Sequence, residues 1–350
     1  MGFDVALFGA SPCAMLVAGL LASEHGMTVC LVGPEWSPWL LPQRFDLGWR
    51  FATRPQAWRL LLDGATETQR LLSALGRQLV EPIAPVLVAE QPATRAALLH
   101  MKATLAGLGR SLQQVSDRGL PPGAAAWALG DVPSLAEAAP TAIAAWLGRS
   151  GVQRLPADTG VTFRRDGALR LEAPAGQFEA ARAVLLDDAA IARLLPEGEQ
   201  ARLLRKVPMR ALRTTPGLQL AAPLLDFPDR GVSLRQTAKA GPITALVAGT
   251  RDAEARLGSA LVLQAPLAQV AEARFSAFET PDGAPLLTLS RAPRALVVAG
   301  LGATASFFAP ALARHVAGRS LPAEAAFFAA HELGRGNARQ AVADVVAEAF

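Results

Sequence analysis

Residues 4–33 read DVALFGASPCAMLVAGLLASEHGMTVCLVG. An apolar run over residues 4–8 ends at a glycine, residues 12–25 carry a helical apolar period, and residues 28–32 form a second apolar run. Strand, tight turn, helix, strand is a β-α-β unit. The turn of such a unit can do phosphate chemistry, because backbone N–H groups at the helix N-terminus point at an oxyanion and glycines let it approach. In the spacing G-x-G-x-x-G the positions fall on Gly9, Ser11 and Ala14, with Cys13 between the last two. Ala14 still permits close helix packing. Ser11 sets a side chain where phosphates would approach, although its hydroxyl can donate a hydrogen bond. Pro12 suits the first helical turn but removes one backbone donor. Where a ribose-binding acid is expected, at the end of the second strand, stands Gly33, with Glu35 two residues on. Taken alone, the pattern fits a plain packing turn equally well.

Other chemistries find less support. The four histidines, His25, His100, His315 and His331, are far apart, and the two cysteines, Cys13 and Cys30, fall in apolar elements, so neither a metal site nor a disulfide framework is expected. Tyrosine is absent, which removes one common general acid. The net charge of +4 comes from scattered arginines rather than a basic run, which argues against a nucleic-acid partner. No signal-peptide pattern and no long uninterrupted apolar segment is present, so no membrane span is expected and the location is read as cytoplasmic. The loop from Trp36 to Phe51, WSPWLLPQRFDLGWRF, offers Gln43 and Arg44 to a phosphate, but Trp and Arg are also the residue types of protein interfaces.

The elements that must position these residues follow from periodicity. Residues 55–79 and 93–115 read as amphipathic helices, the second stopping before Asp117-Arg118-Gly119, and residues 120–123 (LPPG) punctuate the chain. A helix is expected after residues 132–134 and up to Leu147, with Ser134 as N-cap and Glu137 at its third position. Asp166-Gly167 reads as a hairpin tip, residues 181–188 as a buried strand, and residues 216–290 as short strands and turns. A final strand, residues 295–300, leads through a glycine turn into a helix ending at His315. At 350 residues, the chain has room for a nucleotide-binding layer built from both ends and interrupted by an antiparallel sheet.

Four segments, in order along the chain, resemble one family. ALVVAGLGATASFFAPALARHVAG (295–318) resembles the C-terminal flavin motif of the D-amino-acid oxidase and glycine oxidase superfamily of FAD-dependent oxidoreductases. ETPDGAPLL (279–287) is similar to its T-x-D-G-x-P loop, VSLRQTAKAGPITALVAGTRD (232–252) to its substrate-domain hairpin, and GVTFRRDGALRLEAPAGQFEAARAVLLDD (160–188) to its adenine-contacting segment. The resemblance implies an α/β (α+β) fold: a Rossmann-like FAD-binding domain from residues 1–80, 130–205 and 290–350, and a substrate domain with an antiparallel sheet from residues 81–129 and 206–289. It implies FAD as cofactor, with the backbone of Gly300, Leu301, Gly302, Ala303 and Thr304 facing the flavin and Val161 contacting adenine. Gly9, Ser11, Pro12, Cys13, Ala14, Glu35, Gln43 and Arg44 would complete the cofactor site.

The departures from the family are as informative. Alignment on Thr280-Pro281-Asp282-Gly283 puts Ala277 and Phe278 where the family has the Arg-Pro of its carboxylate clamp, leaving Arg274 three residues earlier. Arg235 matches the hairpin arginine, while Ser233 and Gln236 replace a tyrosine and a proline. Asp187-Asp188 replace a small residue and a glycine. The implied activity is hydride transfer to flavin from a C–N or C–OH bond, with Arg235 and Arg274 as catalytic candidates. Without the clamp, a simple free α-amino acid is not the expected substrate, and a bulkier amine or a residue of a partner protein fits better. The alternative is a subunit that keeps the fold as an interaction or maturation partner, binds FAD weakly or not at all, and joins a hetero-oligomer through the loop from Trp36 to Phe51.

Overall fold

The computed structural model describes residues 2–37, 39–49, 55–116, 120–249, 252–261, 268–281 and 283–332. The expected helix stop at residues 117–119, Asp282, and Pro38, Arg50 and Phe51 of the Trp/Arg loop lie outside the described residues.

The strand Val5–Phe8 is buried at every position, as a central parallel strand must be when covered on both faces. It pairs in parallel with Val29–Val32 on one side and Ala183–Leu185 on the other. The full sheet runs Leu286–Leu289, Leu296–Ala299, Ala183–Leu185, Val5–Phe8, Val29–Val32, Gln153–Leu155, with only Leu286–Leu289 antiparallel. Chain direction switches sides at Val5–Phe8, so the crevice at its C-terminal end is where such sheets place ligands. Phe8 is in register with Leu185, and the Leu186 N–H donates to the Phe8 carbonyl at 3.1 Å. Asp187 therefore emerges beside the turn that follows Phe8.

The eight-stranded sheet draws on residues 86–129 and 205–279. Its order is Gln269–Glu279, Arg205–Thr214, Thr244–Ala248, Val232–Arg235, Leu224–Phe227, Val86–Ala89, Ala125–Leu129, Leu112–Val115. A smaller sheet carries the expected hairpin, Gly160–Phe163 with Leu169–Ala173, and Gly167 at its tip has φ +92°.

Three expectations are corrected. Residues 93–115 are not one helix: Pro92–Gly107 stops at Gly109, whose φ of +68° lets the Arg110 N–H return to the Leu105 carbonyl, and Leu112–Val115 is a strand. Ser134 is no N-cap, because Val132–Leu135 pairs with Val80–Ile83 and the Ser134 hydroxyl donates to the Asp46 carbonyl; the helix begins at Ala139. Residues 181–188 are not all strand: the strand is Ala183–Leu185, and Asp188 opens the helix Asp188–Leu194.

The first helix, Pro12–Ser23, is buried from Pro12 to Leu21, packed between Ala139–Arg149 and Ala309–Val316. Its closest neighbour meets Gly19: a Cβ there would lie 2.2 Å from the Trp146 ring. Alanine would gain about 1 kcal/mol in helix propensity, but the collision with a buried ring costs about 1–3 kcal/mol. Gly19→Ala should therefore lower the urea midpoint, and the double variant Gly19→Ala/Trp146→Leu should recover part of the loss. An unchanged midpoint in Gly19→Ala would show that the helix and ring are not this close.

Candidate functional site

The turn after Phe8 is built to hold an anion. Gly9 has φ +153°, and a Cβ on it would lie 2.7 Å from the Asp187 carboxyl carbon. Ser11 is the N-cap of the first helix, its hydroxyl oxygen accepting from the Ala14 N–H at 3.2 Å, and Pro12 occupies the first turn without needing a donor. The N–H groups of Ala10 and Ser11 then point out of the turn, and both donate to Asp187 Oδ2, at 2.5 and 2.8 Å. The Ser11 hydroxyl donates to the other oxygen, Oδ1. Asp187 thus sits, nearly buried, where the helix N-terminus attracts negative charge.

Gly33 is explained by the same crowding. A Cβ there would lie 2.5 Å from the Gly9 carbonyl oxygen, so an acidic side chain cannot stand at the end of Val29–Val32. Glu35, exposed in the following loop, lines the cavity that opens from the turn.

That cavity has a volume of about 540 Å³ and runs from the Gly9–Ser11 turn, past residues 34–46, to the eight-stranded sheet. It brings together Gly9, Ser11, Pro12, Glu35, Gln43, Arg44, Arg235 and Arg274 of the expected site residues. Cys13 and Ala14 are buried in the helix behind the turn, and burial pushes the Cys13 thiol well above its ordinary value, leaving it inert. Val161 packs against a separate core and does not line the cavity. Leu301, Ala303 and Thr304 are buried, and residues 300–304 do not line the cavity either. They connect to it through the loop: the Leu47 N–H donates to the Ala303 carbonyl at 2.7 Å and the Ser306 hydroxyl donates to Asp46 at 2.5 Å.

Sequence reasoning missed Asp46, which no periodicity or motif marks inside an irregular loop. Burial raises its carboxyl above the ordinary value, against the pull of the Ser306 hydroxyl and of the Arg44 and Arg235 guanidinium groups. Burial likewise works against the charge on Arg44, but Asp188, Asp187 and Asp46 outweigh it and hold the guanidinium charged. Arg235 donates to Glu81 at 2.6 Å and to the Leu135 carbonyl at 3.0 Å, which fixes it in the cavity wall. Arg213, at the far end, is 3.8 Å from Glu137 and partly exposed. On the long strand Gln269–Glu279, Ala273, Phe275 and Ala277 pack toward the same core. Arg274 alternates away from that core yet also lines the cavity; it is 70 % exposed and pairs with Glu272 at 2.7 Å.

The comparisons agree with this architecture. No protein-family model matches the chain, and no curated protein matches it. Solved structures do: glycine oxidase from Geobacillus kaustophilus at 17 % identity and TM-score 0.72, over 96 % of this chain and 100 % of that one. NikD, described as an unusual amino acid oxidase essential for nikkomycin biosynthesis, matches at 16 % and 0.71 over 93 % and 96 %. The L-amino acid deaminase from Proteus vulgaris matches at 14 % and 0.70 over 96 % and 94 %. The chain shares the fold of these proteins over 93–96 % of its length. Among the described residues, no helix is long and apolar enough to cross a membrane, and no group of three or more metal-ligating side chains occurs.

Asp46 supplies a test of the site's electrostatics. Its carboxyl binds its proton more tightly in the folded chain than at the ordinary 3.8, so its contribution is fully favourable below 3.8 and is lost as pH rises through the folded value. Asp46→Asn keeps an acceptor for the Ser306 hydroxyl and removes that pH-dependent penalty. Its Tm should equal or exceed that of the unsubstituted chain at pH 7, with the difference shrinking as pH falls toward 4. A variant less stable at pH 7 than at pH 4, relative to the parent, would reverse the assignment.

Proposed function

We propose that the chain is an FAD-dependent oxidoreductase that oxidises a C–N bond. The observation that carries this is the continuity of the cavity: one space joins an oxyanion cradle at the sheet's switch point to the wall of the eight-stranded sheet. Proteins of the same fold are described as glycine oxidase, amino acid oxidase and amino acid deaminase, which favours C–N over C–OH chemistry.

The donors of the turn suit a phosphate, and Asp187 acts there as a stand-in anion. With the carboxylate moved aside, Gly9, Ala10 and Ser11 would hold a phosphate, Arg44 and Gln43 would flank it, and Glu35 is the acid nearest in sequence for a ribose. FAD supplies the hydride acceptor. The chain's own part is to orient and to exclude water: Phe275 and Ala273 form a dry wall, and Arg235, pinned by Glu81, presents a fixed cation. No histidine lines the cavity among the described residues, and the chain has no tyrosine. Hydride transfer needs little acid–base help when the substrate nitrogen is already neutral, and the titratable groups left to assist are carboxylates such as Asp46 and Glu35.

Ala277 stands in place of a carboxylate-clamping arginine, on an apolar face, so the substrate is a bulkier or less polar amine, or an amine carried by a partner protein. The second reading, a subunit that works by interaction with little FAD, is favoured by two observations: Asp187 already fills the cradle, and Trp39 and Leu40 stand 91 % and 55 % exposed beside the cavity.

The test is spectroscopic. Protein supplied with FAD should hold a flavin absorption band that amines bleach under anaerobic conditions, with a rate that climbs with pH along the titration of the substrate amine. A chain that takes up no FAD would refute the oxidoreductase, and fast oxidation of simple α-amino acids would refute the substrate argument.

A further inference from the structure

We propose that Asp187 is a built-in substitute for the cofactor phosphate, so that the chain takes up a dinucleotide only by exchanging this carboxylate out of the Gly9–Ser11 turn. The proposal deepens the oxidoreductase reading and rests on it for the identity of the ligand.

The first observation is the completeness of the contact. Ala10 and Ser11 spend both outward N–H groups on Asp187 Oδ2, and the Ser11 hydroxyl goes to Oδ1. Both carboxylate oxygens are engaged, and the residue is 8 % exposed. A second anion therefore finds the Ala10 and Ser11 donors taken while Asp187 remains. Gly9 leaves room for a carboxyl carbon in the place where a Cβ would otherwise lie, as the first glycine of a phosphate turn leaves room for a phosphate.

The second observation is what Asp187 does not do. It is the N-cap residue of its own helix, Asp188–Leu194, with extended backbone, φ −121° and ψ 149°. An aspartate in that position ordinarily bonds the N–H groups of its own first turn. Here the side chain makes no such bond and is turned to the N-terminus of a different helix, 176 residues earlier in the chain. The carboxylate has given up its local partners for the phosphate cradle.

The third is charge. Arg44 has Asp188, Asp187 and Asp46 as its electrostatic partners. When Asp187 leaves, an incoming phosphate restores the lost negative charge beside Arg44, so the exchange conserves the site's balance. A phosphate arriving with Asp187 in place would instead meet a carboxylate at contact distance in a poorly solvated crevice. Exchange, rather than simultaneous occupancy, is the course this geometry permits.

The experiment uses the full chain, freed of any flavin, in three forms: unsubstituted, Asp187→Ala and Asp187→Asn, with circular dichroism as the check of folding. Each is titrated with FAD, followed by quenching of flavin fluorescence, and with inorganic pyrophosphate, followed by calorimetry and Tm. Removing the competing charge-assisted bonds should tighten FAD by about ten- to a hundredfold in Asp187→Ala, and pyrophosphate should raise the Tm of that variant more than that of the parent. Asp187→Asn keeps the shape of the side chain without its charge, should tighten FAD less, and decides the matter if the alanine variant does not fold. Equal FAD affinity in all forms overturns the exchange and leaves the oxidoreductase reading standing. Pyrophosphate binding gained by the variants with FAD bound by none supports the exchange and overturns the oxidoreductase reading. Failure of every form to bind either ligand overturns both.

Discussion

Backbone N–H groups at the mouth of a buried helix must find an acceptor, and in this chain that requirement is met by one carboxylate. The turn between Phe8 and the first helix lies at the switch point of a mostly parallel sheet, walled by a helix buried from Pro12 to Leu21 and by the ends of three strands. Unpaired amides there would each cost about 1–3 kcal/mol. Asp187 satisfies two of them and a hydroxyl at once. Several local choices follow: glycine at position 9 because the carboxyl carbon presses on it, glycine at position 33 because the Gly9 carbonyl does, and an N-cap at Asp187 that leaves its own helix without a side-chain cap.

The same constraint organises the loop after the second strand. Arg44 is a cation set among Asp46, Asp187 and Asp188, and Asp46 is in turn held by the Ser306 hydroxyl beside the C-terminal turn. Residues 46–48 gain further hold on the ribbon formed by Val80–Ile83 and Val132–Leu135: the Leu135 N–H donates to the Asp46 carbonyl at 3.1 Å and the Gly48 N–H to the Pro133 carbonyl at 2.6 Å. A loop without regular structure is thereby fixed between the two ends of the chain. The aspartates that look misplaced in a phosphate site, judged from the sequence, are the counter-charges of Arg44.

The fold was legible because its signals are periodic and repeated. An apolar run closed by glycine occurs at both ends of the chain, at residues 4–9 and 295–300, and each is a parallel strand of one sheet as expected. What periodicity could not reveal is pairing across long separations. Val132–Leu135 contains a proline and a serine that suggest a helix start, yet its partner Val80–Ile83, itself carrying Pro82, makes it a strand. The contact between Asp187 and Ser11 spans 176 residues and has no local signature. The sequence did mark Asp187 as an anomaly, since an acid stands where a small residue was expected, but only the register of Phe8 with Leu185 brings it onto the turn. Arg274 shows the converse: a residue of the right type near the right loop, which strand alternation turns away from the core of Ala273 and Phe275 and leaves 70 % exposed at the cavity.

That alternation bears on how the cavity can choose a ligand. A buried arginine fork binds a carboxylate strongly because water is excluded and both donors are aimed. In this chain the inner face of Gln269–Glu279 offers Ala273, Phe275 and Ala277, which can exclude water but cannot compensate a desolvated charge. Of the cations that line the cavity, Arg235 is committed to Glu81 and the Leu135 carbonyl, Arg44 sits among aspartates, and Arg193, Arg213 and Arg274 are exposed in whole or part. A ligand that buries an apolar body there and leaves any charge at the rim loses little, since an exposed ion pair is worth only about 0–1 kcal/mol either way. A wall of Ala273 and Phe275 can thus discriminate by shape, with an exposed charge a secondary influence.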